Sequence, residues 1–243
     1  MTTPTVIAMW SGPRNISTAM MRSWENREDT EVWDEPLYAY YLSRTGIIHP
    51  GRDEIIAAGQ TDWKEVTTHC CQAPKGTGVF FQKHMAHHLL PEVDRSWLRQ
   101  VHNCFLIRDP REVVNSYARV REQPNLMDLG FVEQRQIFDD VRTMTGGTPI
   151  VIDSRDVLEN PGSMLKQMCD SLDLEYSERM LDWPAGPRSS DGAWAPYWYA
   201  SVESSTGFSP YIERKIQLPA HLEALAESGV EHYQRLYAER IRP

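Results

Sequence analysis

The sequence predicts an α/β protein in which a parallel β-sheet of about five strands is flanked by helices on both faces. Short apolar runs alternate along the chain with longer amphipathic stretches, which is the order that βαβ units produce. Within most of these runs, apolar residues occupy both alternating positions, as expected for strands that are buried on both sides. No internal repeat or low-complexity tract interrupts this order.

The predicted elements follow one another from the N-terminus. The first strand, "TVIAMW", leads through a glycine-containing turn into a helix, and Pro110 favours the first turn of a later helix. Strands are predicted at 5–10, 31–34, 79–83, 102–108 and 149–153. Helices are predicted at 17–26, 37–44, 61–72, 110–121, 131–145 and 161–173, and the apolar spacing of "PAHLEALAESGVEHYQRLYAER" predicts a closing helix.

Composition limits the class of protein. The chain has 243 residues, 41% of them hydrophobic and 24% charged, and we expect one domain spanning 1–243. The formal net charge of −9 disfavours nucleic acid and acidic membranes as partners, although it allows a small anion bound in a local cluster of donors. No apolar run is long enough for a transmembrane helix, and the four cysteines lack metal-type spacing. We therefore expect free thiols and a cytoplasmic location.

Polar side chains follow the predicted strands where the strands end. In a parallel sheet these carboxyl ends meet at one edge, and ligands bind there. The residues expected at this edge are Gly12, Pro13, Arg14, Asp34, Glu35, Lys83, His84, His87, His88, Arg108, Asp109 and Arg111. They combine groups that bind phosphate with groups that move protons.

The first loop has the features of an anion site. It consists of Gly12, Pro13, Arg14, Asn15, Ile16, Ser17 and Thr18. A strand that enters a helix through such a turn directs backbone N–H groups to one point, and arginine adds a forked cation suited to phosphate or sulfate. The ATP-binding pattern G-x-x-x-x-G-K-[ST] is absent, since the loop has no lysine and no second glycine. An ordinary turn with a surface arginine is the alternative.

A second anion motif is predicted in "FLIRDPREVVNSYARV". Arg108 ends a buried strand, and Ser116 lies about two turns into the helix that follows, so both can contact one anion. The alternative is a structural arginine that pairs with Asp109 or Glu112.

These motifs together resemble those of the sulfotransferases that use 3′-phosphoadenosine-5′-phosphosulfate (PAPS), in their bacterial form. "SGPRNIST" resembles the family's 5′-phosphosulfate loop, and "RDPREVVNSY" resembles its 3′-phosphate motif. "VIDSRDVLENPGSMLKQMCDSLDL" is similar to a later strand, turn and helix, so that the resemblance covers residues 5 to about 175. "GPRSSDGAW" is more faintly similar to a further stretch of the family, which implies a 3′-phosphate contact for Arg188.

The resemblance implies a fold, a donor and a division of the chain. The fold is of the P-loop type, the donor is PAPS, the product is PAP, and no metal is required. Residues 1–175 would form the nucleotide-binding core, and 176–243 an aromatic-rich loop and the closing helix. Arg14 and Lys83 would stabilise charge on the sulfuryl group and its bridging oxygen.

The acceptor would be a hydroxyl or amine of a small molecule or carbohydrate. The sequence leaves its identity, and the oligomeric state, open.

Two residues are candidates for the base that takes the acceptor's proton. His84 lies beside Lys83 in "KHM", where many cytosolic members have K-x-H, and Glu35 in "WDEPLY" is similar to the glutamate base of some bacterial carbohydrate sulfotransferases.

Two other functions stay open from the sequence. One is a nucleotide-dependent phosphotransferase on the same fold, although the lysine and magnesium carboxylate that it needs are not found. The other is a non-catalytic nucleotide-binding domain, which is favoured by Asn15-Ile16 in place of the family's Ser-Gly.

Overall fold

The computed structural model describes residues 3–121 and 123–243. It contains a five-stranded sheet in the order β2-β3-β1-β4-β5, in which all neighbouring strands are parallel. The strands are β1 (Thr5–Ser11), β2 (Thr30–Asp34), β3 (Val79–Met85), β4 (His102–Ile107) and β5 (Ile150–Asp153). The predicted α/β class and all five predicted strands are therefore confirmed.

The helices connect and cover the strands. They are α1 (Ser17–Glu25), α2 (Tyr38–Thr45), α3 (Arg52–Ala58), α4 (Trp63–Cys70), α5 (Pro110–Tyr117), α6 (Leu126–Leu129), α7 (Phe131–Thr145), α8 (Ser154–Glu159), α9 (Pro161–Ser171), α10 (Ala195–Trp198), α11 (Ala200–Glu203) and α12 (Ala220–Tyr237). Short 3-10 helices lie at Ala86–His88, Ser96–Gln100 and Glu178–Leu181. All seven predicted helices are present, whereas α3, α6, α8, α10 and α11 were not predicted. Among the helices of the described ranges, none is long and apolar enough to span a bilayer.

The alternation of side chains along each strand produces two hydrophobic layers. On one face, Ala8 and Trp10 of β1 belong to a cluster that includes residues of α4, α7 and α12. On the other face, Ile7 and Met9 belong to a cluster that includes residues of α1, α8 and α9. Since β1 occupies the centre of the sheet and is buried on both faces, the loop that follows it begins from a fixed point.

The segment that follows the 3-10 helix Glu178–Leu181 crosses the carboxyl edge of the sheet. We call residues 188–211 the strap. The side chain of Asp191 accepts a hydrogen bond from buried Arg22 of α1 at 2.7 Å, and the hydroxyl of Tyr211 donates to Glu112 of α5 at 2.7 Å. The strap is thus attached on both sides of the strand ends. Its middle forms α10 and α11, where the sequence predicted a long ordered loop.

Candidate active site

The loop between β1 and α1 is held in an unusual backbone conformation. Arg14 and Ile16 both have left-handed φ values, 63° and 55°, which are strained for a β-branched residue such as Ile16. A Cβ at Gly12 would collide with the carbonyl oxygen of Leu129, so that glycine is required there. Buried Asn15 fixes the loop to β4, because its Nδ2 donates to the Leu106 carbonyl at 3.2 Å. The surrounding contacts therefore impose the loop's shape without the family's Ser-Gly.

The two predicted anion motifs contact each other directly. Arg108 donates through Nη1 to the carbonyl oxygen of Arg14 at 2.7 Å, and Arg14 donates through Nε to the Ser116 hydroxyl at 3.0 Å. Arg108 also forms an ion pair with Glu112 at 2.8 Å, the structural pairing considered from the sequence. Asp109 caps α5 by accepting from the Arg111 amide at 2.8 Å. Arg14, Arg108 and Ser116 therefore form one cluster.

Two adjoining cavities open onto this cluster. A cavity of ≈ 310 Å³ is lined by Arg14, Asn15, Ile16, Ser17 and Thr18 of the loop, together with Arg108 and Ser116. A second cavity of ≈ 430 Å³ shares Arg108 and Ser116 and adds Arg119 and Arg214. Burial, together with the charges of Arg108 and Arg119, lowers the pKa of Arg14. The cluster is thus a locally cationic site in a chain whose net charge is −9.

Arg188 does not lie where the resemblance implied. It lines neither of these cavities. Its backbone N–H donates to Asp191 at 2.7 Å, and its guanidinium reaches the Pro184 carbonyl at 3.4 Å, so that Arg188 helps to shape the strap. The arginines that line the second cavity besides Arg108 are Arg119 and Arg214, which the sequence analysis did not single out.

The ends of β2 and β3 form a buried hydrogen-bonded network on the other side of the loop. Lys83, which is 2% exposed, donates to Asp34 Oδ1 at 2.8 Å, to Glu35 Oε1 and to the Tyr199 hydroxyl at 2.8 Å. The Tyr199 hydroxyl donates to Asp34 Oδ2 at 2.6 Å and accepts from Trp194 Nε1 at 3.0 Å. All three N–H groups of the Lys83 ammonium therefore have partners, and Tyr199 connects this network to the strap.

The pKa values of Glu35 and Lys83 are both raised, but for different reasons. Burial and the neighbouring Asp34 charge raise the pKa of Glu35 to about 7, although the Lys83 ammonium opposes the shift. The charges of Asp34 and Glu35 raise the pKa of Lys83, against the effect of burial. The cluster can therefore keep a charged lysine beside a carboxyl group that gains and loses a proton near neutral pH, which suits a general base.

His84 points away from this network. Successive residues of a strand face opposite sides, so that Lys83 faces the network and His84 the hydrophobic layer beneath. The His84 ring stacks on Trp10 at 4.4 Å and its Nε2 is 3.0 Å from Gln82 Oε1. Burial lowers the pKa of His84 to about 3. Of the two candidates for the base, His84 is therefore poorly placed, whereas Glu35 lines the pocket described next.

A pocket of ≈ 130 Å³ lies over Glu35 and Lys83. Arg14, Ser17 and Thr18 line it as well as the first cavity, so that the pocket adjoins the anion cluster. Its walls are mainly aromatic and imidazole rings: Tyr38, His49, His87, His88, Tyr117, Trp194, Trp198 and Tyr199. In the part of the chain that the structure describes, no group of three or more His, Cys, Asp or Glu side chains is suited to hold a metal ion.

The central parallel sheet, the loop at its first helix and the arginine cluster define an α/β protein with cationic cavities at the strand ends, where proteins of this class bind their ligands. The family model of the sulfotransferase domain matches residues 5–236, and the chain belongs to that family.

Solved structures share the fold. The sulfotransferase domain from the curacin biosynthetic pathway has a TM-score of 0.56 and 14% identity, with 100% of both chains covered. A sulfotransferase from Alicyclobacillus acidocaldarius has a TM-score of 0.57 and 8% identity, covering 100% of this chain and 98% of that one. At these identities the likeness concerns the fold, and it agrees with the predicted P-loop-type α/β architecture.

Two curated relatives come from Arabidopsis thaliana. The branched-chain-amino-acid aminotransferase-like protein 1 is 37% identical over 209 residues, which cover 86% of this chain and 37% of that protein. The branched-chain-amino-acid aminotransferase-like protein 2 is 35% identical over 204 residues, which cover 84% of this chain and 36% of that protein. This chain thus spans little more than a third of the length of these relatives.

Proposed function

We propose that the protein transfers a sulfuryl group from PAPS to a hydroxyl or amine of a small-molecule or carbohydrate acceptor. One observation carries the proposal: the joined cluster of Arg14, Arg108 and Ser116 borders the pocket that contains Glu35 and Lys83. A double anion site beside a buried base fits a donor with two separated anionic groups and an acceptor that must lose a proton.

The residues present fit PAPS. Arg14, Ser17, Thr18 and the loop backbone would hold the 5′-phosphosulfate, because guanidinium, hydroxyl and N–H groups at a helix N-terminus favour such anions. Arg108 and Ser116 would hold the 3′-phosphate, and Arg119 and Arg214 add positive charge to that cavity. When bound, PAPS supplies an activated sulfuryl group.

The chain's own residues would handle the acceptor and its proton. Glu35 would take the acceptor's proton as a general base, since its carboxyl group has a pKa of about 7 and lines the pocket. The Lys83 ammonium would stabilise negative charge that develops near Glu35, once the ligand replaces one of its three partners. The rings around the pocket would exclude water.

Ligand binding tests the proposed donor against the two alternative functions. PAP should raise the melting temperature of the protein more than ADP does at equal concentration, and EDTA should leave this shift unchanged, because the cluster uses arginines where ATP sites use magnesium and a lysine. Tighter binding of ATP–Mg²⁺ than of PAP would instead support a phosphotransferase. Binding of PAP without transfer from PAPS to any acceptor in a broad panel would support a non-catalytic domain.

A further inference from the structure

His88 has a buried ring nitrogen that no protein group satisfies. The residue is 3% exposed and lines the pocket over Glu35. Its Nδ1 has no hydrogen-bond partner among the residues that the structure describes. The nearest acidic oxygen is Glu35 Oε2, at 3.8 Å from Nδ1, which is too far for a direct hydrogen bond.

The imidazole of His88 is held firmly in this position. Its ring stacks between Tyr38, at a centroid distance of 4.5 Å, and Tyr41, at 4.6 Å. Burial and the neighbouring histidines and Lys83 lower the pKa of His88, so that the ring is neutral at pH 7. A neutral imidazole fixed between two rings offers one N–H donor in a defined direction.

The two carboxylate oxygens of Glu35 have different neighbours. Oε1 accepts from Lys83, whereas Oε2 is on the side of His88. A single oxygen atom placed beside the 3.8 Å gap can lie within hydrogen-bond distance of both Oε2 and Nδ1. Resting on the proposed function, we propose that Glu35 and His88 together bind the hydroxyl group of the acceptor. The hydroxyl donates to Glu35 Oε2 and accepts from His88 Nδ1–H.

The same surroundings select the class of acceptor. The proposed site needs a group that donates to Glu35 and accepts from His88. A hydroxyl does both, whereas an ammonium group has no lone pair to accept the His88 N–H. The volume of ≈ 130 Å³ is near the ~150 Å³ of a cavity that accommodates benzene. The acceptor is therefore a hydroxyl compound whose reactive end is about the size of one ring, and amines are disfavoured.

The experiment uses two probes of matched shape, benzyl alcohol and benzylamine, with the full chain saturated by PAP. Ligand-detected NMR measures the binding of each probe, and the rate of sulfuryl transfer from PAPS is measured in parallel. The variants are His88→Phe, which keeps a ring between the tyrosines, and His88→Asn, which restores a short N–H donor. His102→Phe, at the exposed amino end of β4, is the control.

We expect the wild-type complex to bind and sulfate benzyl alcohol in preference to benzylamine. His88→Phe should lower kcat/KM for the alcohol about tenfold or more, with unchanged PAP affinity and melting temperature, and His88→Asn should recover part of the loss. The control should behave as wild type.

Several outcomes would overturn the inference. They are unchanged kinetics in His88→Phe, a preference for benzylamine, and no binding of benzyl alcohol to the PAP complex. Failure of PAP itself to bind would instead refute the proposed donor, so that the two failures can be distinguished.

Discussion

Removing one hydroxyl from the strap should measurably destabilise the protein. In Tyr199→Phe the ring can keep its packing, but the hydroxyl that joins three buried groups is lost. Lys83 retains both carboxylate partners, whereas Trp194 Nε1 and Asp34 Oδ2 each lose a partner that lies within 3.0 Å. Asp34 Oδ2 keeps the backbone N–H of Gly192 at 3.4 Å, but Trp194 Nε1 and one N–H of Lys83 are left without a partner. A buried group left without its partner costs about 1–3 kcal/mol, so these two groups together cost about 2–6 kcal/mol.

Urea denaturation followed by tryptophan fluorescence tests this value. With a slope of roughly 3 kcal/mol/M, the midpoint should fall by about 1–2 M. The control is Tyr197→Phe, two positions earlier in α10, because Tyr197 is 44% exposed and its hydroxyl donates to Glu54 at the surface. Equal midpoints for Tyr199→Phe and wild type would refute the view that this network holds the strap in place.

Further variants separate the roles within the site. Arg108→Ala should weaken PAP by roughly 2–4 kcal/mol and adenosine 5′-phosphosulfate far less; equal losses in calorimetry would make Arg108 structural. Glu35→Gln should lower kcat by roughly 100-fold or more while His84→Asn changes it little, and steady-state rates showing the reverse would return the base to His84. The base acts deprotonated, so kcat/KM should rise with pH and level off above about 7, the pKa of Glu35; a profile that falls across this range would contradict the assignment. Gly12→Ala should cost about 1–3 kcal/mol by thermal unfolding, because its Cβ meets the Leu129 carbonyl, and an unchanged midpoint would show that the loop adapts.

The regular part of the fold could be predicted because it depends on local pattern. Strands such as β1 and β4 are short apolar runs bounded by polar residues, and their observed limits differ from the predicted ones by one residue at one end. The missed helices are short: α6, α10 and α11 have four residues each. A segment of less than two helical turns shows too little periodicity for a helix to be distinguished from a loop.

The position of His84 could have been recognised from the sequence. Lys83 and His84 are adjacent in a strand, and adjacent strand residues face opposite sides of a sheet. If Lys83 faces the ligand, His84 faces the hydrophobic layer, where it stacks on Trp10. Proximity to Lys83 in sequence therefore does not bring His84 to the ligand side of the sheet.

Other parts of the site depend on long-range contacts that no local pattern records. Tyr199 and Lys83, which are hydrogen-bonded, lie 116 positions apart in the sequence. Arg22 and Asp191, which are also bonded to each other, lie 169 positions apart. Arg214 lines the 430 Å³ cavity because the strap leads the chain back past α5. Such contacts are fixed only when the whole chain has packed.

The bond from Arg108 to the carbonyl oxygen of Arg14 has a consequence for turnover. The residue proposed to hold the 3′-phosphate also supports the backbone of the loop proposed to hold the 5′-phosphosulfate. PAP, the proposed product, carries the same 3′-phosphate as PAPS, and it would keep its contact with Arg108 after the sulfuryl group has been transferred. We therefore expect escape of PAP to be the slow event of each cycle, and accumulated PAP to inhibit in competition with PAPS.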